Sequence, residues 1–459
     1  MSSELLAPLD LAFWHLETAD HPMHLGALAR FDPGPGRSGG PGGPEEILAL
    51  LAGRAAAVPR LRMRVRDVLL PVGGAAWRAD PDFDVDRHVR HIPLTGGGHP
   101  GGFAAEATRT AAELMERPLE RGLPPWEMYL LTGEPGGPFA VLVKLHHALA
   151  DGMRAVAIGA GIFDEIAGAR PAGRRPRPVP PRSWLPGPAR VAGLADAARD
   201  RIEELGRALG VGASVVRAGR LDPPGTPALT AGSSGTRRLA TADLDLEEVR
   251  RVRRTTGGTA NDVLLAVVAG ALRQWMLERG DHLPADDPRA LVPVSRRRPG
   301  GAPGPGNTFS AYLLDLPVSD PDPLNRLVAV RRAMDRNKAA GPTRGAGALT
   351  VLADQLPPLA HRFGAPLAQG AARMLFDVLV TNVPLPRSSL SLGGHPLRAL
   401  HPMAPLARGQ ALAVAMSPYD GRVHIGLVAD GEALPDVDRL ATAIGDELAG
   451  LVKLTGDPD

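Results

Sequence analysis

Residues 139–145 run apolar and partly β-branched, broken only by Lys144. A short continuous run of this kind predicts a strand buried on both faces. The run stops at His146-His147. Asp151-Gly152 then predicts a turn, with Gly152 supplying its unusual backbone angles, before a helix over 153–166. Ionisable side chains at the end of a buried strand can carry chemistry without disturbing the core behind them.

Ahead of that strand, apolar residues at helical spacing predict helices over 9–17, 45–58 and 103–116. Extended patterns predict strands over 23–31 and 123–131, a hairpin from 61–72 with 76–78, and an extended segment over 83–92. In the second half, strands are predicted over 237–242, 290–294, 309–316 and 378–383. A hairpin of 410–417 with 423–428 closes around Tyr419-Asp420-Gly421. Helices are predicted over 245–255, 324–339, 348–363, 366–375 and 434–451. A long helix ends near Glu278, with Thr259 or Asn261 as its N-cap.

Length and composition refine this picture. At 459 residues the chain exceeds one comfortable hydrophobic core, and two large domains are the favoured count. Residues 1–168 and 236–459 each mix strands and helices, so the expected class is α/β of mixed α+β character. Between them lies a linker, 169–235. Its first part, 169–190, holds six arginines, no acids and many prolines. It reads either as a basic patch for CoA phosphates or an anionic membrane, or as a solvated crossover. Residues 191–209 form an amphipathic helix that either docks on the protein or touches a membrane. Its polar face mixes acids with arginines, which favours docking.

The net charge of +2 gives no sign of a nucleic-acid partner. The absence of cysteine excludes disulfides, thiolate metal sites and a cysteine nucleophile. The first residues lack a basic n-region, and no window reaches about 18 uninterrupted apolar residues. The expectation is a cytoplasmic protein that can associate peripherally with a membrane.

His147 can act as a general base near neutral pH without a large pKa shift. It would take the proton of an alcohol as that alcohol attacks an acyl carbonyl. Asp151, four residues on, could orient the imidazole or anchor the loop; the tight turn at Gly152 favours the anchor. On these residues alone, a satisfied structural histidine remains an alternative. A metal site is disfavoured by the lack of H-E-x-x-H and of cysteine. No G-x-S-x-G elbow is present.

The stretch from His146 to Gly152 matches the HHxxxDG motif of the CoA-dependent acyltransferase superfamily. Further segments narrow the resemblance to the bacterial wax ester synthase/diacylglycerol acyltransferase family. They include Pro8-Leu9-Asp10, Pro22-Met23-His24-Leu25-Gly26, Pro125-Trp126-Glu127, Asn261-Asp262-Val263 and Thr381-Asn382-Val383-Pro384. They also include Tyr419-Asp420-Gly421 and the segment from Pro435 to Leu440, so the resemblance spans nearly the whole chain.

The resemblance implies two chloramphenicol-acetyltransferase-like domains with a central channel between them. It implies acyl-CoA as co-substrate, no tightly bound cofactor, no metal, and a lipid alcohol or other acyl acceptor. His147 is the expected base, His146 its support and Asp151 a structural anchor. Asn261 and Asp262 are candidate site-shaping residues, and the former has an alternative role as a helix cap. Thr381, Asn382 and Ser417 are candidate oxyanion donors because they fall at or near strand ends. Two positions depart from the family pattern. Leu385 stands where a glycine is usual, and Arg408 where an acid is often found.

The function implied is transfer of a fatty acyl group to a long-chain alcohol or diacylglycerol. A same-fold enzyme acting on a specialised-metabolite hydroxyl or amine, with a carrier-protein donor, is the alternative. A non-catalytic binding protein is the third reading, and the intact motif argues against it.

Overall fold

The computed structural model describes residues 4–34, 43–95, 102–149, 158–159, 161–167, 226–295, 309–340, 358, 361–362, 375–386 and 388–456. Asp151, Gly152, the linker up to residue 225 with its helix over 191–209, and most of the helices over 348–363 and 366–375 lie outside these residues.

The run at 139–145 forms β7 (Phe139–His146), buried along its whole length. It lies inside a six-stranded sheet of order β12 (Ser391–Leu392), β13 (His395–Met403), β2 (His24–Phe31), β7, β6 (Trp126–Thr132) and β5 (Val89–Pro93). Strand period two sorts its side chains. Phe139, Val141, Val143 and Leu145 join a core with residues of α1 (Pro8–Leu16) and α2 (Pro44–Ala56). Ala140 and Leu142 join a second core with α3 (Gly102–Glu116) and residues of a second sheet. Lys144 and His146 share this second face by alternation.

The second sheet has the order β10 (Phe309–Asp315), β9 (Arg289–Ser295), β11 (Val378–Asn382), β14 (Leu412–Tyr419), β15 (Arg422–Asp430) and β8 (Arg237–Asp245). Its far face packs on α4 (Leu246–Thr256), α5 (Ala260–Glu278), α6 (Pro323–Ala340) and α7 (Val437–Thr455) in one large apolar core. A small third sheet pairs β1 (Glu4–Leu5), β4 (Ala75–Ala79) and β3 (Met63–Asp67). No helix among the described residues is long and apolar enough to cross a membrane.

Lys144 interrupts its apolar run for a local reason. Its Nζ donates to the carbonyls of Leu114 and Arg117, each at 2.8 Å, at the C-terminal end of α3. Cations suit that end of a helix, where carbonyls lack intrahelical partners. The Glu127 carboxylate lies 3.2 Å away. Burial pushes the ammonium pKa down, and Glu127 pulls it back up.

Two features depart from the sequence expectations, and a third decides between two caps they left open. The segment over 83–92 is not extended throughout: a 3-10 turn at Val85–Arg87 precedes β5. The Asp84 side chain stabilises that turn by accepting from the Asp86 N–H at 3.1 Å. The helix starting at Ala260 is capped by Thr259, not by Asn261. Thr259 and Asp262 form a reciprocal capping box, with contacts of 3.2 and 2.8 Å. The second departure is β13, whose segment carries Pro396, Pro402 and two histidines and so gives a weak strand signal. Although it belongs to the second half of the chain, β13 pairs antiparallel with β2 in the first sheet. The sheets therefore do not follow a simple division of the chain into halves.

β13 also crosses β15, at Gly426. A side chain there would run into the carbonyl of Pro402, so only glycine lets the two backbones approach. Gly426→Ala is expected to destabilise the protein by about 1–3 kcal/mol through overpacking. A urea midpoint equal to that of the parent would contradict this packing.

Candidate active site

The corner after β7 is built mainly by backbone hydrogen bonds. The His146 N–H donates to Pro125 O at 3.0 Å, and the His147 N–H to Met23 O at 2.7 Å. The Leu149 N–H donates to His146 O at 2.8 Å, closing a turn. The Ala148 N–H donates to His146 Nδ1 at 3.0 Å, so the neutral His146 ring carries its proton on Nε2. This side chain is fully buried and therefore supports the corner from below. His147 is only partly buried. Its ring stacks on Phe13, with centroids 3.8 Å apart and planes 20° from parallel. Trp14, the next residue of α1, meets the His146 ring edge-on.

Glu17, at the end of α1, was not singled out from the sequence. Its carboxylate accepts from the Met23 N–H at 3.2 Å and pairs with Arg121 at 2.9 Å. His146 Nε2 lies 3.5 Å away, longer than a short hydrogen bond. Burial alone would raise the Glu17 pKa. His146 foremost, with Arg121 and the Met23 N–H, outweighs burial and holds it at about 2. The carboxylate is therefore ionised at neutral pH. Met23 links His147 to this charge, because its N–H meets Glu17 and its carbonyl meets the His147 N–H. Two partners of Glu17, Arg121 and His146, lie more than a hundred positions away in sequence and leave no periodic trace, which is why sequence reading missed it.

The second-half candidates lie on the other sheet. Strand phase separates them. Val378 and Val380 of β11 point into the helix-covered core, whereas Leu379 packs on the core between the sheets. Thr381 is in phase with Leu379 and so faces the first sheet; Asn382 faces α5. There Asn382 Nδ2 lies 3.4 Å from Asn261 Oδ1. With the cap assigned to Thr259, this contact is the role the structure gives Asn261. Asp262 is committed to the capping box. Ser417 is in phase with Ala413 and Ala415 on the face toward the first sheet, but its hydroxyl donates to Val383 O at 2.7 Å. That bond directs its only proton away from an oxyanion. Leu385, in place of the family's glycine, is partly buried against the core that holds Ala148 and Leu149.

Between the sheets, Asp243 Oδ1 accepts from His401 Nε2 at 2.9 Å and from His424 Nδ1 at 2.6 Å. Burial works to raise the Asp243 pKa, but the two imidazoles outweigh it and hold it far below the usual carboxylate range. Arg30 approaches the other carboxylate oxygen at 3.5 Å. Among the described residues this trio is the set that could hold a cation. Its donor geometry is already that of a hydrogen-bonded cluster joining β8, β13 and β15. No sequence pattern marks it, because its members come from three strands.

A buried histidine beside the corner makes stability depend on pH. His24 sits opposite His146 in the β2–β7 ladder, and its Nε2 lies 2.8 Å from Met115 O. Burial, and then the charge on Lys144, push its pKa down from 6.5 to about 3. Below pH 6.5 the unfolded chain binds this proton and the folded chain does not. The stability contributed by neutral His24 is thus full above that value and is lost as pH falls toward 3. His24→Gln keeps a donor for Met115 and cannot titrate. Its melting temperature should fall less steeply than the parent's between pH 6.5 and 4; parallel curves would remove His24 from the account.

Known proteins place this geometry in a family. The family model for the wax ester synthase/diacylglycerol acyltransferase catalytic domain matches residues 6–264, and that for the family's C-terminal domain matches residues 305–451. A probable diacylglycerol O-acyltransferase of Mycobacterium tuberculosis, tgs1, is 32% identical, with 98% of this chain and 96% of that one covered. A second from that organism, tgs2, is 30% identical over 99% of this chain and 100% of its own. The wax ester synthase/diacylglycerol acyltransferase of Marinobacter aquaeolei VT8 shares the fold, with a TM-score of 0.69 at 24% identity, covering 98% of this chain and 100% of that one. The first condensation domain of the CDA synthetase shares it at a TM-score of 0.59 and 20% identity, covering 100% and 97%. With its HHxxxDG corner at the end of a buried strand, the chain belongs to the wax ester synthase/diacylglycerol acyltransferase family.

Proposed function

We propose that this protein is an O-acyltransferase that moves a fatty acyl group from acyl-CoA to the hydroxyl of a long-chain alcohol or diacylglycerol, with His147 as general base. The observation that carries this reading is the state of the histidine pair. His146 is buried and tied to the backbone, while His147 is partly open and fixed by Phe13 and Met23. A base held in one orientation before substrate arrives loses little freedom in the transition state.

In the proposed reaction the acceptor oxygen attacks the thioester carbonyl carbon as His147 takes its proton. The negative charge gathers on the former carbonyl oxygen. Thr381, on the second-sheet face that looks toward the first sheet, is the donor that strand phase favours for it. Collapse breaks the carbon–sulfur bond, and the imidazolium returns the proton to the departing thiolate. The products are an ester, either wax ester or triacylglycerol, and free CoA. Asp151 is assigned a loop-anchoring role, as its sequence position suggests. The site of action proposed is the cytoplasmic face of a membrane or a lipid body, where both product and acceptor partition.

Glu17 is a positioning residue in this scheme, acting on His147 through Met23. With palmitoyl-CoA and hexadecanol or diacylglycerol as substrates and free CoA as the readout, His147→Ala is expected to lose about 10²- to 10⁴-fold in rate while staying folded. Turnover retained in that variant would overturn the assigned base. Glu17→Gln should lower kcat by about 10- to 100-fold, with KM changed far less, because the base is misplaced rather than removed. An unchanged kcat would limit Glu17 to a structural role.

A further inference from the structure

Between β3 and β4 the chain turns through Val68-Leu69-Leu70-Pro71-Val72. Leu69 is 89% exposed, Leu70 68% and Val72 58%. Among the described residues these are the three most exposed large apolar side chains, and they sit together on one tip. Singly exposed leucines need no explanation; a clustered tip does.

The tip is held in shape. The Val68 N–H donates to Gly74 O at 3.1 Å, and the Gly74 N–H to Pro71 O at 2.8 Å. His15 Nε2, from α1, lies 3.3 Å from Gly73 O. A loop closed in this way presents its leucines outward by construction.

The stem beneath the tip is basic. Residues 60–79 hold five arginines and a single acid, Asp67. Arg62, Arg66 and Arg78 are exposed, and Asp67 lies 3.8 Å from another exposed arginine, Arg362. An apolar tip on a basic stem suits the boundary between anionic headgroups and acyl chains. A protein partner is a poorer fit, since a stable protein interface buries about 800 Å² per side, more than a three-residue tip offers. A lipid surface accepts such a tip without a matching socket.

The tip also adjoins α1, through His15 and Leu11. A small apolar recess beneath it is lined by Leu6, Leu11, Pro71 and Ala75. Two residues beyond Leu11 on α1, Phe13 stacks on His147.

We propose that Leu69, Leu70 and Val72 insert into an anionic phospholipid surface, with Arg62, Arg66 and Arg78 on its headgroups, and so bring the α1 side of the site to a lipid acceptor. The purpose of this docking rests on the acyl-transfer reading; its chemistry does not.

The test is sedimentation of the full chain with phosphatidylcholine vesicles, with and without phosphatidylglycerol. It compares the parent with the double variant Leu69→Ser, Leu70→Ser. The parent should sediment with the anionic vesicles and much less with the zwitterionic ones. The variant's partition coefficient should fall by about tenfold or more, with its melting curve unchanged. Its turnover on a water-soluble short-chain alcohol should equal the parent's, while turnover on diacylglycerol carried in anionic vesicles should drop in step with binding. A parent that stays in the supernatant, as it would if the tip docked a protein, overturns the proposal. So does a variant that sediments as well as the parent. A parent that turns over neither acceptor refutes the acyl-transfer reading instead, and sedimentation still decides the docking.

Discussion

A buried carboxylate sets the geometry on which the site depends. The Glu17 side chain is almost wholly removed from water, and a charge in that position must be matched by partners that cannot move away. Its partners are Arg121, the Met23 N–H and the His146 ring. Each belongs to a different part of the chain: the loop before β6, the start of β2 and the end of β7. Meeting the needs of one charge therefore fixes the relative positions of all three. The hydrogen bond from His147 to Met23 then carries that fixity to the His147 corner. Phe13, on the same helix as Glu17, sets the plane of that ring.

Strand alternation is the second organising constraint. Along β7 it places Lys144 and His146 on the face turned toward the second sheet, and both need polar partners there. Lys144 meets the open carbonyls of α3, and His146 meets its own turn and Glu17. Along β11 the same alternation splits a pair of neighbouring candidates. Thr381 faces the first sheet and Asn382 faces α5, so the two cannot serve one oxyanion together.

The sheets themselves are joined by polar and steric devices that belong to this chain's particular residues. The Asp243 carboxylate collects His401 from β13 and His424 from β15, bridging a strand of the first sheet to two of the second. Close by, Gly426 lets β15 pass against the carbonyl of Pro402. A polar cluster buried between two sheets tolerates no slip in register, because any slip would strand a carboxylate or an imidazole without a partner.

Much of the framework was legible in the sequence because it follows from local physics. Periodicity marked β2, β6, β7, α2, α3 and the closing helix, and Thr259 and Asn261 were both legible as caps for the helix that follows them. The HHxxxDG corner and the matching segments around it pointed to the family, and the likeness to its members bears this out. What the sequence did not reveal shares one cause: it depends on residues far apart in the chain. The prolines of β13 hid a strand that only pairing with β2 makes regular. Glu17 became visible only when folding brought it to Met23, Arg121 and His146. The sequence by itself determined most of the elements and the HHxxxDG motif, since these rest on neighbours within a few positions. Only the tertiary structure decided which groups surround His147 and which face each candidate occupies, because burial and strand phase are properties of the assembled sheets.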